Sequence, residues 1–302
     1  MALLHPQLEA FLAVIEEGSF DRAAKRLCIT PSALSQRIKG LEDRLGAVLV
    51  KRVVPVVATE AGEKLLRRAQ SMRLLEAETL TDFRPGEGDE TARLTILVNN
   101  DSLATWLPEA LADFTAETKG ERVSLELLTD DQDHALESLR NGTAIAVVTS
   151  EGRPVSGARS TPLGAMRYVA VTSPALAASL CSVELETSLR SAPVIFYDRK
   201  DTLQDRYLAF FGIGPEAFTG LVHYAPSPTA MIDLAARGIG WCMAPESLVA
   251  PWIERGEIEE IAPDRPIDVP LYWQSAAIRS ELLTHLGDVI RKTAAKRLRP
   301  SV

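Results

Sequence analysis

The chain has 302 residues, 46% hydrophobic, 25% charged and 6% aromatic. At ~100–200 residues per domain this makes two or three domains of ordinary globular composition and excludes a small module, a disordered chain and a disulfide scaffold. Thirty-three Lys and Arg face 41 Asp and Glu, a net charge of −8 that excludes a protein coated all over with nucleic acid. Residues 19–68 nevertheless carry 11 basic and 5 acidic side chains, net +6, and the remainder is net −14. That is the pattern of a polyanion-binding module joined to an acidic body.

No apolar run approaches the ~18 residues that a membrane-spanning helix requires, and residues 1–10 lack the basic start and apolar core of a secretory leader. The expected location is the cytoplasm, with no membrane partner. Cys28, Cys181 and Cys242 lie in apolar surroundings without a CxxC spacing, so buried inert thiols are expected and no metal site; a redox pair of Cys181 with Cys242 stays open.

Leu8, Phe11, Leu12, Val14 and Ile15 follow helical spacing over residues 7–17, and Gly18 stops that helix. Ser19 caps a second, short helix with Phe20, Ala23, Ala24 and Leu27 on its packed face. After a turn at residues 28–30, Thr30 caps a third helix with Pro31 in its first position, where a missing N–H costs nothing. Leu34, Ile38, Leu41 and Leu45 form its buried stripe, and Gly46 ends it. Ser32, Ser35, Gln36 and Lys39 share the opposite side, where hydroxyls and an amide can read base edges in a major groove while Arg37 and Lys39 reach phosphates. Residues 48–50 and 53–58 read as a hairpin with Lys51 and Arg52 near its tip. Thr59 then caps a long helix over residues 60–83, whose seam of Leu65, Ala69, Met72 and Leu75 points to dimerisation.

The run FLAVIEEGSFDRAAKRLCITPSALSQRIKGLEDRLGAVLVKR, followed by TEAGEKLL, resembles the DNA-binding domain of LysR-type transcriptional regulators. The resemblance implies an all-α winged helix-turn-helix over residues 1–58 and a linker and dimerisation helix with hinge over 59–88. It implies base reading by Pro31, Ser32, Ser35 and Gln36, with backbone contacts from Arg37, Lys39, Arg52 and Thr59. The wing, VVPVVATEAG, departs from the family by lacking the usual Arg and Leu before the Thr.

The breaker-rich stretch at residues 85–90 is the natural domain boundary. Beyond it strands at 93–99, 122–129 and 144–149 alternate with helices at 102–118 and 134–141. A second series follows, with strands at 167–172, 193–197, 221–224 and 238–243 and helices at 201–211, 227–237 and 245–255. A strand at 269–273 and a helix at 281–297 close the first of two Rossmann-like α/β lobes, a periplasmic-binding-protein-like effector domain over residues 89–302. Lobe I covers 89–165 and 269–302, and lobe II covers 166–268. Ligands of such sheets bind at the C-terminal ends of strands, which selects Asp101, Ser102, Asp131, Thr149, Asp198, Ser227 and Thr229. Ser102 is the expected carboxylate anchor, and the acidic groups suit a ligand that also has a cationic end.

NNDSLATW, LLTDDQDHA, PLGAMRYVAV, ARGIGWCMAPESLV and DVPLYWQ resemble the effector domain of the ArgP/LysG-like branch of the same family. That implies lysine or arginine as effector, a promoter of an amino-acid exporter gene as target, activation through RNA polymerase, and a homodimer or homotetramer. A regulator sensing a different amino acid or small carboxylate is the alternative reading. An enzyme domain on a DNA-binding head is the remote one: the four histidines are scattered and no GxSxG, HExxH or phosphate-cradling loop occurs, so neither catalytic residues nor a cofactor is expected.

Overall fold

The structure, a computed structural model, describes residues 3–83, 91–118, 122–129, 132–182 and 184–300, with residues 132–134 described by their backbone. It divides into two compact units, one of residues 1–98, 112–161 and 273–289, the other of residues 99–111, 162–272 and 290–302.

The first unit begins with α1 (Pro6–Glu17), ended by Gly18 at φ +58°, α2 (Phe20–Arg26), capped by Ser19, and α3 (Pro31–Leu45). The Thr30 hydroxyl accepts the Ala33 N–H at 3.1 Å, and Gly46 at φ +65° ends α3. Phe11, Val14, Leu34, Ile38 and Leu49 are buried together, the predicted stripes meeting in one core. The hairpin is shorter than the sequence implies. Only β1 (Val50–Lys51) and β2 (Val57–Ala58) pair, so Lys51 lies in a strand opposite Val57, and the apolar Val53 and Val54 project into solvent beside Pro55. Helix α4 (Glu60–Phe83) matches the predicted linker helix. It is tied to α1 through Glu16, which bonds Arg73 at 2.5 Å and Arg26 at 2.7 Å. Burial alone raises the Glu16 pKa, yet the two guanidiniums outweigh it and hold the carboxyl below its usual range.

In the remainder, β3 (Ala92–Val98) leads to α5 (Asn100–Ala104), α6 (Leu107–Glu117), β4 (Val123–Thr129), α7 (Gln132–Asn141) and β5 (Ala146–Thr149). Strand β3 is parallel to both β4, with Ala92 opposite Val123, and β5, with Ile96 opposite Ala146. The single helix expected over 102–118 is two helices. Thr105, at φ −121° and ψ −89°, leaves helical geometry, because Pro108 lacks an N–H and its ring would meet the carbonyl of Ala104 in a continuous helix.

Strand β6 (Ala158–Thr172) is followed by α8 (Pro174–Leu180), α9 (Leu185–Leu189), β7 (Val194–Phe196), α10 (Leu203–Ala209), β8 (Val222–Tyr224), α11 (Pro228–Ala236) and β9 (Cys242–Pro245). Then come α12 (Glu246–Glu254), β10 (Glu259–Glu260), β11 (Ile267–Ala276) and α13 (Glu281–Arg297). In the second unit Val171 of β6 pairs with Cys242 on one side and Glu260 on the other, both antiparallel, while β7 and β8 are parallel. Strand β6 starts nine residues earlier than predicted and runs through Pro162 and Gly164. Gly164, at φ +128°, admits the Arg299 carbonyl within 2.6 Å of where a Cβ would stand. Helices α8 and α9 were not anticipated, although Ser173 and Pro174 form a cap and first position. Cys242 is buried as expected, its thiol pushed up to about 12 chiefly by burial. Cys28 and Cys181 are exposed, contrary to expectation, since one sits in the turn between α2 and α3 and the other at the C-cap of α8.

Within the first unit α4 packs on α7. Gly142, at φ +82°, brings the backbone of Arg67 to 2.4 Å from a hypothetical Cβ, a place only glycine fills. Further along α4, Glu78 Oε1 accepts the Ser280 hydroxyl at 2.6 Å and the Leu282 N–H at 2.8 Å, so the linker helix caps α13. Glu78→Ala orphans that N–H and is expected to cost about 1–2 kcal/mol, measured by urea unfolding of the full chain.

Candidate functional site

Two surfaces carry the polar groups singled out above. On the head, Pro31, Ser32, Gln36 and Lys39 are exposed and Ser35 and Arg37 half-buried, because Leu34, Ile38 and Leu41 turn the opposite face of α3 into the core. Ser35, Gln36, Lys39 and Arg52 line one open groove with Glu42, Asp43 and Val48. Arg52 is steadied there by the Phe20 ring, 4.8 Å from its guanidinium carbon. Thr59 is committed to structure: its hydroxyl donates to the Val48 carbonyl at 2.6 Å and accepts the Gly62 N–H at 3.1 Å.

The linker seam divides. Ala69 is fully buried in the core of its own head, and the half-buried Leu65 packs against that core. Met72 and Leu75 are exposed, 49% and 36%. The seam was drawn as one stripe because helical spacing alone does not tell which turns the α1–α3 bundle already covers.

In the second unit the turn from β3 into α5 meets the middle of β6. The Tyr168 hydroxyl donates to Asp101 Oδ2 at 2.6 Å, and Asn100 Nδ2 donates to the Tyr197 hydroxyl at 2.6 Å. Burial pushes the Asp101 carboxyl above the usual carboxylate range, aided by the nearby Asp201 charge and opposed by the Tyr168 hydrogen bond. Burial likewise raises the Tyr168 phenol well above its usual value, the Asp101 charge adding to it. Burial, then Asp101 and Asp198, raises Tyr197. Among the described residues no Lys or Arg nitrogen lies within 4 Å of the Asp101 carboxylate. The result is a desolvated acidic cluster bordered by two tyrosines, suited to a cation.

Other predicted residues have different places. Ser102 is fully buried and its Oγ accepts the Trp106 indole N–H at 3.1 Å, so it faces into the fold and does not present an open anchor. Asp198 closes a turn, accepting the N–H groups of Lys200 and Asp201 at 2.7 and 2.9 Å. Asp201 accepts the Tyr197 and Leu203 N–H groups at 3.0 and 2.9 Å. Ser227 caps α11, which packs on α5, and its hydroxyl stands 3.1 Å from that of Thr229. Thr149 belongs to the first unit, where it is buried and accepts the Glu151 N–H at 3.2 Å. Asp131 lies outside the described residues. Asn100, Tyr168, Tyr197 and Asp201 also belong to the cluster around Asp101 and are not among the predicted residues. Asn100 and Tyr197 stand at strand ends and are open to the same rule that selects Asp101, whereas Tyr168 lies inside a strand and gives no local signal.

A helix-turn-helix head with a polar outer helix face, attached to an α/β body, defines a DNA-binding regulator. Residues 5–63 match the model of the bacterial regulatory helix-turn-helix proteins of the lysR family, and residues 87–295 match the LysR substrate binding domain. The lysine export transcriptional regulatory protein LysG of Corynebacterium glutamicum is 39% identical over 294 residues, covering 97% of this chain and 99% of that protein. The crystal structure of ArgP from Mycobacterium tuberculosis superposes with a TM-score of 0.85 at 39% identity, over 99% of this chain and 100% of that one. Full-length LysG of C. glutamicum with bound effector Arg gives 0.77 at 36% identity, over 98% and 100%. The chain belongs to the LysR family of transcriptional regulators.

Proposed function

We propose that this regulator senses lysine or arginine and, when one of them is bound, activates the promoter of an amino-acid exporter gene. The observation that carries the reading is Asp101, a desolvated carboxylate held by Tyr168 without a counter-cation among the described residues. A ligand ammonium or guanidinium supplies the missing charge. The lysine-export relative and the arginine-bound neighbour support the same ligand class. In this reading residues 1–58 bind promoter DNA, the helix and hinge at 59–88 pair two chains through Met72 and Leu75, and residues 89–302 hold the effector. Dimers associate into tetramers that bend the promoter and engage RNA polymerase, and the ligand acts by favouring one assembly geometry. The protein works in the cytoplasm and is not an enzyme, a reading supported by the regulator family to which it belongs. Among the described residues no helix is long and apolar enough to cross a membrane.

Calorimetric titration of the full chain with the twenty amino acids, with and without exporter-promoter DNA, tests the reading. Selective binding of lysine or arginine that changes DNA affinity is the expected result, and DNA binding indifferent to both overturns it. On the DNA side, Gln36→Ala is expected to cost about 1–3 kcal/mol at the cognate site and to relax base preference. Lys39→Ala is expected to weaken all sequences alike and to flatten the log-affinity against log-salt slope by about one unit. Fluorescence anisotropy at several salt concentrations separates the two.

A further inference from the structure

The second unit holds a cavity of about 320 Å³, near the lower end of the range for small-molecule sites. Its apolar wall is Trp106, Met166 and Leu248, the first two almost fully buried. Its polar rim is Arg167, Arg297 and Arg299 with Glu109 and Glu246. Each arginine is already aimed by a carboxylate: Arg167 at Asp268 (2.9 and 2.8 Å), Arg297 at Glu109 (2.7 Å), Arg299 at Glu246 (3.2 and 3.0 Å). These pairs leave the Nη1 group of every one of the three guanidiniums without a hydrogen-bond partner among the described residues. A half-buried Arg167 and the more exposed Arg297 and Arg299, each paired to a carboxylate and keeping spare donors beside an indole and a thioether, fit a compact anion carrying an apolar body.

We propose that this cavity is a second small-molecule site, separate from the Asp101 cluster, that takes a small organic carboxylate, its anionic end on the arginines and its carbon chain on Trp106 and Met166. The Trp106 indole that walls it is the group hydrogen-bonded to Ser102 at the start of α5, so the site adjoins the segment that carries Asp101. The carboxylate can belong to the basic amino acid itself or to a different metabolite.

Hexanoate, which is lysine without its two amino groups, is the probe, titrated calorimetrically into the full chain. Saturable binding of one hexanoate per chain is expected, unchanged in Asp101→Asn. It is expected to be at least ten-fold weaker in the double variant Arg297→Gln with Arg299→Gln, and in Ser247→Phe, which fills the mouth from an exposed position. Circular dichroism melts confirm that each variant is folded. A second equivalent of lysine or arginine lost in the same variants identifies the basic amino acid as occupant, and hexanoate binding without it identifies another carboxylate. The proposal falls if neither probe gives a saturable event beyond the Asp101 cluster, or if hexanoate binding disappears in Asp101→Asn and survives in the arginine and Ser247 variants. Failure of lysine and arginine to bind anywhere, with hexanoate still lost on the arginine changes, overturns the sensing reading and leaves this site standing.

Discussion

Asp101→Asn is expected to weaken lysine and arginine binding about a hundred-fold, roughly 3 kcal/mol, while leaving the unliganded protein at least as stable at neutral pH. Asparagine keeps an oxygen to accept the Tyr168 hydroxyl, so the local geometry survives and only the charge goes. The folded-state pKa of Asp101 is raised, first by burial and then by Asp201, so the ionised form is the penalised one in the unliganded fold. Its contribution to stability is therefore fully present below the ordinary carboxylate value and lost as pH rises through the raised folded value. At pH 7 the wild type carries that penalty and the asparagine variant does not. A bound cation reverses the balance by favouring the carboxylate, so effector affinity is expected to climb as pH rises through the raised range, with proton release on binding in the acidic part of that range. Thermal melts between pH 4 and 8 and calorimetry in two buffers of different ionisation enthalpy measure both effects. Equal lysine affinity in wild type and variant would remove Asp101 from the site.

The contrast between the head and the Asp101 cluster shows what local pattern encodes. Thr30, Pro31 and Gly46 mark α3 chemically, through a hydroxyl acceptor, a ring without an N–H and a left-handed stop, and its stripe follows from 3.6-residue spacing. Those end signals are local, so the register is readable even though the stripe itself packs on α1 and Leu49. The Asp101 cluster is made by a meeting across 67 residues, in which a tyrosine inside β6 reaches the start of α5. The strand-end rule selects Asp101 because it concerns where a strand stops, and it passes over Tyr168 because that residue lies inside β6. It also selects Asp198 and Ser102, whose oxygens the fold already uses. An aspartate after a strand closes a turn as readily as it binds a ligand, and a serine in the first turn of a helix faces inward when an indole four residues on needs an acceptor. Pro108 misled in the opposite direction, since the apolar spacing over 102–118 runs through the break that its ring imposes.

Gly62→Ala is expected to destabilise the head by about 2–3 kcal/mol, although helix propensity argues the reverse. Gly62 lies in the first turn of α4, where alanine is favoured over glycine by up to about 1 kcal/mol. A Cβ there would stand 2.1 Å from the Leu49 carbonyl oxygen and 3.1 Å from Ala58 Cβ. The Leu49 oxygen belongs to backbone that also accepts the Thr59 N–H at 3.0 Å, so it does not yield without loosening the cap of α4. Overpacking against fixed backbone costs about 1–3 kcal/mol or more, and at this separation the upper end applies, so sterics outweigh propensity. Gly40 in α3 provides the opposite case: a Cβ would meet only Gln7 Nε2 at 2.6 Å, the far end of a flexible side chain. Gly40→Ala is accordingly expected to be neutral or stabilising by up to about 1 kcal/mol, the propensity gain surviving because Gln7 moves aside. Urea unfolding of both variants measures the difference, and promoter affinity gives a second readout, since the Leu49 segment leads into β1 and the Arg52 side of the groove. If the two alanines shift the unfolding midpoint in the same direction by similar amounts, close backbone approach is not what keeps glycine at position 62.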